Sequence, residues 1–245
     1  MTNLSCRLNI EERLIWIKER VKAAHATGVT IGVSGGKDSS VVLGLVVKAL
    51  GAENVTAVTM PCGKLNKDVY DAQRICDHLG VKLITIDIKH QYESILEAIE
   101  AIEPASEMAK SNIMPRIRMT TLYTIAQTRN QLVVGTDNLS EQIMGYFTKW
   151  GDGAYDFNPI ADLVVSEVIE LGLMLGLPSD LVKKVPSAGL WEGQTDEKEM
   201  GVTYKAIEEY IKTGKTDEAS MEIIKKTYER TKHKREMPYT FSGLI

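Results

Sequence analysis

The chain has 245 residues, 44% of them hydrophobic and 25% charged, a balance that excludes a disordered chain and is long enough to bury a substantial core. A formal net charge of -4 speaks against a surface built to hold polyanions, so nucleic acid is not an expected partner. Cys6, Cys62 and Cys76 form no CxxC pair and, with four scattered histidines, supply no zinc-ligand spacing; no secretory leader follows Met1 and no apolar run approaches the roughly 20 residues that span a bilayer. Reduced thiols, no membrane and a cytoplasmic location are therefore expected.

Taken in chain order, residues 9 to 25 begin with Asn9 and Glu12 in capping-box spacing and place Leu14, Ile17 and Val21 on one helical face. "VTIGV" (29 to 33) predicts a short strand, and "DSSVVLGLVVKAL" from Asp38 predicts a largely buried helix that stops at Gly51. "NVTAVTMP" (54 to 61) is the next strand. Val69, Ala72, Ile75 and Leu79 share a helical face that ends at Gly80, and "VKLITIDI" (81 to 88) reads as a third strand. Helices are predicted over 91 to about 102 and 112 to 130, then a strand over "QLVVGT" (131 to 136).

Past Gly151 the pattern becomes a turn-rich connection, a helix over "SEVIELGLMLGL", a polar loop over 183 to 201, and two helices over about 203 to 212 and 217 to 231. Short apolar strands alternating with helices predict a doubly wound α/β core around a parallel sheet. Ligands in such folds sit beyond the carboxyl ends of the strands, where residues 34 to 39, Met60 and residues 136 to 141 would fall. One domain over 1 to 245 is expected, without an internal repeat or a dividing linker.

The loop "IGVSGGKDSS" (31 to 40) is not a Walker A loop: the position that should hold its first Gly is Ile31, and Asp38 stands where Ser or Thr should follow Lys37. Ser34, Gly35 and Gly36 allow successive amides to surround an anion, and the helix that follows adds the positive end of its dipole. Asp38 would repel bare phosphate unless a hard cation such as Mg²⁺ lies between them. A capped Gly-rich turn is the bland alternative for a bare SGG. The full strand-SGGxDS-helix arrangement resembles the pyrophosphate loop of the ATP pyrophosphatases, which cleave ATP between the α and β phosphates.

"NIMPRIRM" (112 to 119), "VVGTDNLSEQIMGYFTKWGDGAYDFNPI" (133 to 160), "KVPSAGLWEGQTDEKEMGVTY" (184 to 204) and "HKREMP" (233 to 238) together resemble the ammonia-dependent NAD⁺ synthetase family, from about residue 10 to the end. That resemblance implies a Rossmann-like fold of the adenine nucleotide alpha hydrolase type, with no glutaminase domain. It also implies a ligase in which deamido-NAD⁺ attacks ATP, pyrophosphate leaves, and ammonia displaces AMP from the acyl adenylate to give NAD⁺.

Carried over by position, Gly32, Val33, Ser34, Gly35, Gly36, Lys37, Asp38 and Ser39 would bind ATP with Met60, Thr136 and Ser187. Asp38 and Glu141 would hold Mg²⁺, and these two with Lys37 would be the catalytic set. Arg116, Lys149, Asp156, His233 and Lys234 would bind deamido-NAD⁺. The family is homodimeric, and Ile113, Ile117, Leu122, Ile125 and Ala126 are a candidate interface that could equally be core.

Two positions depart from the family pattern. Pro115 precedes Arg116, so a helix start or kink is expected there. Val165 stands where many family members have an ATP-contacting Lys, so either the charge comes from elsewhere, with Lys37 and Lys184 as candidates, or ATP binding is weaker. Trp191 would be a lid anchor or a packing residue. Another ATP pyrophosphatase is a rival reading, but a tRNA thiolase needs reactive cysteines and a basic surface, and a non-catalytic nucleotide sensor needs neither Asp38 nor Glu141.

Overall fold

A computed structural model describes residues 8–63, 67–184 and 196–241. Asn9 caps the first helix, α1 (Ile10–Ala23), by accepting a hydrogen bond from the Glu12 N–H at 3.3 Å. This satisfies one of the amides that have no helical carbonyl to bond. Leu14, Ile17 and Val21 are its buried face, as their spacing predicts.

Four parallel strands follow: β1 (Gly28–Gly32), β2 (Val55–Thr59), β3 (Leu83–Thr85) and β4 (Gln131–Val134), in the order β3-β2-β1-β4. The order reverses at β1, the kind of switch point at which open α/β sheets bind ligands. An isolated parallel bridge between Val134 and Phe157 prolongs the β4 edge.

Both sheet faces are covered, because alternate residues of one strand enter different clusters. Ala57 of β2 joins Val29 and Ile31 in the larger core with α1, α2 (Lys37–Leu50) and α7 (Val165–Met174). Val58, its neighbour, packs with Met60 and Ile88 against Met114, Ile117, Leu122 and Ile125 of α5 (Glu107–Thr128). The apolar face of α5 is thus core on this side of the sheet. The remaining helices are α3 (Lys67–Leu79), α4 (Lys89–Glu100), α6 (Leu139–Met144), α8 (Ser179–Val182), α9 (Asp196–Met200), α10 (Tyr204–Thr213) and α11 (Glu218–Arg230). The last two pack on α6 and α7 in a third cluster around Ile207 and Ile224.

Three expectations need correction. The helix expected from about 112 begins earlier, running from Glu107 to Thr128 with Ser106 as its cap, whose side chain accepts from the Ala109 N–H, so it does not start at Pro115, which lies inside it. Proline lacks one N–H, but the residue is buried beside Gly151 and the rest of the helix is anchored on the sheet. The third strand is three residues rather than eight, since pairing with β2 covers only Leu83 to Thr85. The polar stretch 183 to 201 ends in a short helix, α9, whose Asp196 is buried against Tyr204. Trp191 lies outside the described residues.

Leu43, fully buried in α2 between the helices and the sheet, is a direct probe of this packing. Leu43→Ala is expected to cost about 2–5 kcal/mol of stability, read as a lower urea midpoint with an unchanged denaturant slope.

Candidate functional site

The loop from Ser34 to Gly36 joins the carboxyl end of β1 to the first turn of α2. Gly35 has φ +79°, and a Cβ added there would lie 2.1 Å from the Asp68 carbonyl oxygen of α3. Only glycine fits both the dihedral and the close approach. Ser34 and Ser39 hydroxyls share a hydrogen bond of 3.0 Å, and Ser40 donates to the Gly36 carbonyl at 2.7 Å. The first-turn amides of α2 thereby face the loop as an anion-binding end. Gly32 ends β1 and Val33 follows it into the loop, with the Val33 N–H spent on the Val58 carbonyl.

Asp38 meets the second half of the site through Asn138. The Asn138 amide donates to Asp38 Oδ1 at 3.2 Å, while its side-chain oxygen accepts from the Glu141 N–H and its own N–H donates to Glu141 Oε2 at 2.9 Å. This is a capping box on α6, and it holds two carboxylates from distant parts of the chain around one residue. Burial first, and then the Asp38 charge, push Glu141 well above the ordinary carboxylate range. Asp137, also buried, is pushed the same way, further raised by Asp152, Glu141 and Asp38.

One cation already stands in this acidic centre. Lys37 Nζ lies 2.7 Å from Asp38 Oδ2 and 5.8 Å from the Tyr204 ring centroid, with the residue 3% exposed. Burial works against its charge, but Asp38 and Glu141 outweigh it and hold the ammonium above its ordinary value. Val165 is buried in the cluster that contains Tyr204, so Lys37 brings positive charge to the neighbourhood that Val165 leaves apolar. Lys184, the other candidate for that charge, is engaged elsewhere: it donates to Asp68 at 2.6 Å, Asp71 at 2.8 Å and the Gly35 carbonyl at 3.3 Å.

Among the described residues no group of three or more His, Cys, Asp or Glu side chains is placed to hold a metal ion. Asp38 and Glu141 nevertheless suit a hard divalent cation that takes its other ligands from phosphate and water. The mutual repulsion that raises Glu141 is relieved by a cation between the two groups.

Met60 follows β2, buries its side chain against Val58 and Ile88, and accepts from Arg118 Nε at 3.2 Å through its carbonyl. Thr136 follows β4, half-buried, beside Asp137. Ser187 lies outside the described residues.

The basic residues expected to meet the second substrate gather around 145 to 150. Arg116 donates to the Lys149 carbonyl at 3.4 Å, Lys149 Nζ to the His233 carbonyl, and Lys234 Nζ to the carbonyls of Gly145 at 2.8 Å and Phe147 at 2.6 Å. Lys234 is thus half-committed to ending α6, and burial lowers its pKa. Asp156 accepts from the Val133 N–H at 2.7 Å and faces the Tyr123 hydroxyl at 3.4 Å, so one of its oxygens serves the β4 edge.

Sequence reasoning passed over Asn138, Arg118 and the Tyr204–Asp196 pair. The Asn-x-x-Glu spacing of a capping box was the available signal for the first. Nothing local marks the others, which matter only by what folds against them.

The chain matches the family model described as NAD synthase over residues 9–238. It is 42% identical over 238 residues to the NH(3)-dependent NAD(+) synthetase of Carboxydothermus hydrogenoformans, covering 95% of this chain and 98% of that one. Among solved structures it resembles the NMN synthetase of Francisella tularensis, with TM-score 0.90 and 37% identity over 98% of this chain and 99% of that one. It also resembles the NH3-dependent NAD synthetase of Campylobacter jejuni, solved with nitrate, with TM-score 0.79 and 32% identity over 99% and 100%. The parallel sheet, its helical layers and the match across nearly the whole chain lead to one assignment: this protein belongs to the NAD synthase family.

Proposed function

We propose that the chain, acting as a single catalytic domain, amidates deamido-NAD⁺ with ammonia at the expense of ATP, yielding NAD⁺, AMP and pyrophosphate. The observation that carries this reading is the joining of Asp38 and Glu141 by Asn138 at the mouth of the phosphate loop, in a member of this family.

A carboxylate is a poor acyl donor, and converting it to an acyl adenylate gives it AMP as a leaving group. Ser34 to Ser39 and the α2 amides receive the β and γ phosphates, with Gly35 permitting the close approach. Lys37 sits where negative charge collects as pyrophosphate departs. Thr136, Met60 and Ser187 are assigned to the nucleotide. Asp38 and Glu141 would hold Mg²⁺, which supplies charge neutralisation on the transferring phosphates. Arg116, Lys149, His233 and Lys234 offer donors to the phosphates of deamido-NAD⁺, and Asp156 offers an acceptor to a hydroxyl or amide. Action as a homodimer in the cytoplasm completes the reading. No helix among the described residues is long and apolar enough to cross a membrane.

A second reading concerns the acceptor. The TM-score of 0.90 to a protein described as an NMN synthetase favours testing nicotinic acid mononucleotide beside the dinucleotide. Both acids share the reacting carboxylate and differ in the nucleotide that anchors it.

Purified protein with ATP, MgCl₂ and NH₄Cl is expected to convert deamido-NAD⁺ to NAD⁺ with one AMP per turnover, followed by chromatography. ADP as the sole spent nucleotide would overturn the reading, and a higher kcat/KM for the mononucleotide would move the activity to it. Asp38→Asn and Glu141→Gln are each expected to lower kcat by roughly a hundredfold or more.

A pH dependence follows from Glu141. Its raised pKa means that the folded chain keeps a proton the unfolded chain has released, so its contribution is favourable at low pH and is lost as pH rises toward the folded value. In EDTA, the melting temperature of the wild type relative to E141Q should therefore fall as pH rises above the ordinary carboxylate value. Calorimetry that finds this difference constant or growing with pH refutes the assignment of a raised pKa.

A further inference from the structure

The geometry points to Arg118 as the residue that binds the α-phosphate of the adenine nucleotide, an inference that rests on the ATP reading above and adds a residue to it. Arg118 projects from α5 at the carboxyl edge of the sheet, where its Nε–H donates to the Met60 carbonyl at 3.2 Å. One turn further along α5, Leu122 covers Gly32: a Cβ added to Gly32 would stand 3.3 Å from Leu122 Cδ1 and 4.0 Å from Met60 Cε. The guanidinium therefore lies against the chain that leaves β2, one turn along α5 from the side chain that covers the last residue of β1. On the ATP reading, a nucleotide whose terminal phosphates fill the phosphate loop and whose nucleoside lies toward Met60 would bring its α-phosphate to the side of the loop on which Arg118 meets the Met60 carbonyl.

The bonding of Arg118 agrees with that role. Among the described residues no carboxylate lies within ion-pair distance of it, and its one hydrogen bond goes to a backbone carbonyl. Burial lowers its pKa, and Asp152 is the carboxylate whose charge favours its protonated form. A guanidinium with most of its donors unspent in a partly desolvated cleft is poised for a bidentate anion.

Other cations around the cleft are committed. Lys37 is paired with Asp38, Lys184 with Asp68 and Asp71, and Lys234 with two carbonyls. Adenylation brings a substrate carboxylate onto an α-phosphorus that itself carries negative oxygens, so a fixed cation at those oxygens lowers the repulsion between two anions.

The test compares AMP with adenosine by calorimetric titration, because the two differ only in the α-phosphate. Wild type is expected to bind AMP more tightly, and Arg118→Gln to reduce that preference by about tenfold or more while adenosine affinity changes by less than about threefold. An unchanged AMP-to-adenosine preference in R118Q overturns the inference, as does an equal loss of affinity for both.

A measurement on wild-type protein keeps the test decisive if R118Q does not fold. Phenylglyoxal labelling, mapped by peptide mass spectrometry, should be blocked at Arg118 by AMP and not by adenosine; equal labelling with either overturns the assignment. Wild type that binds neither compound would overturn the ATP reading itself, whereas wild type that binds both with Arg118 unprotected by AMP overturns only the role of this residue.

Discussion

Two partly buried carboxylates cannot be brought to one residue without donors or a cation to compensate them, and this constraint organises the carboxyl edge of the sheet. Asp38 arrives on the first turn of α2 and Glu141 on the first turn of α6, and Asn138 bonds to both. Lys37 adds a charge from within the loop, and Tyr204 packs beneath it while its hydroxyl donates to buried Asp196. The arrangement is stable because each polar group is turned toward another. It remains electrostatically stressed, as the raised Glu141 and Asp137 record. A site that concentrates negative charge in this way is receptive to cations and, through them, to phosphate.

The loop facing these carboxylates is held from outside as well. Gly35 packs directly on the Asp68 carbonyl, and Lys184 ties the same carbonyl-bearing residue, Asp71 and the Gly35 carbonyl into one cluster. The amides of the loop are therefore oriented before any nucleotide arrives, which lowers the entropy lost on binding. Lys184, which follows α8, thereby ties the chain there to α3.

Much of the fold was legible because it rests on periodicity. Leu14, Ile17 and Val21 marked α1, and Val69, Ala72, Ile75 and Leu79 marked α3, since a helix that buries one face must repeat its apolar residues at helical spacing. Pro115 does not start α5, because a local rule against proline yields to packing along a long anchored helix. The third strand is shorter than the apolar alternation predicts because the ladder with β2 ends at Thr85, although the Ile86 and Ile88 N–H groups still reach the Thr59 and Pro61 carbonyls. Pairing is a property of two segments, and neither spells it alone.

The sequence by itself determined the α/β alternation, the glycine-containing turn at Ser34 to Ser39 and the resemblance to a family, because these depend on neighbours within a few residues. Which cation answers which carboxylate was decided only by tertiary structure. Lys37 and Lys184 were equal candidates on the page, yet folding set one against Asp38 and the other against Asp68 and Asp71. Arg118 likewise acquires its place only when α5 lies across the ends of β1 and β2. Charge interactions fall off over a few ångströms in space and take no account of separation along the chain, so their pattern emerges only once the chain has closed on itself.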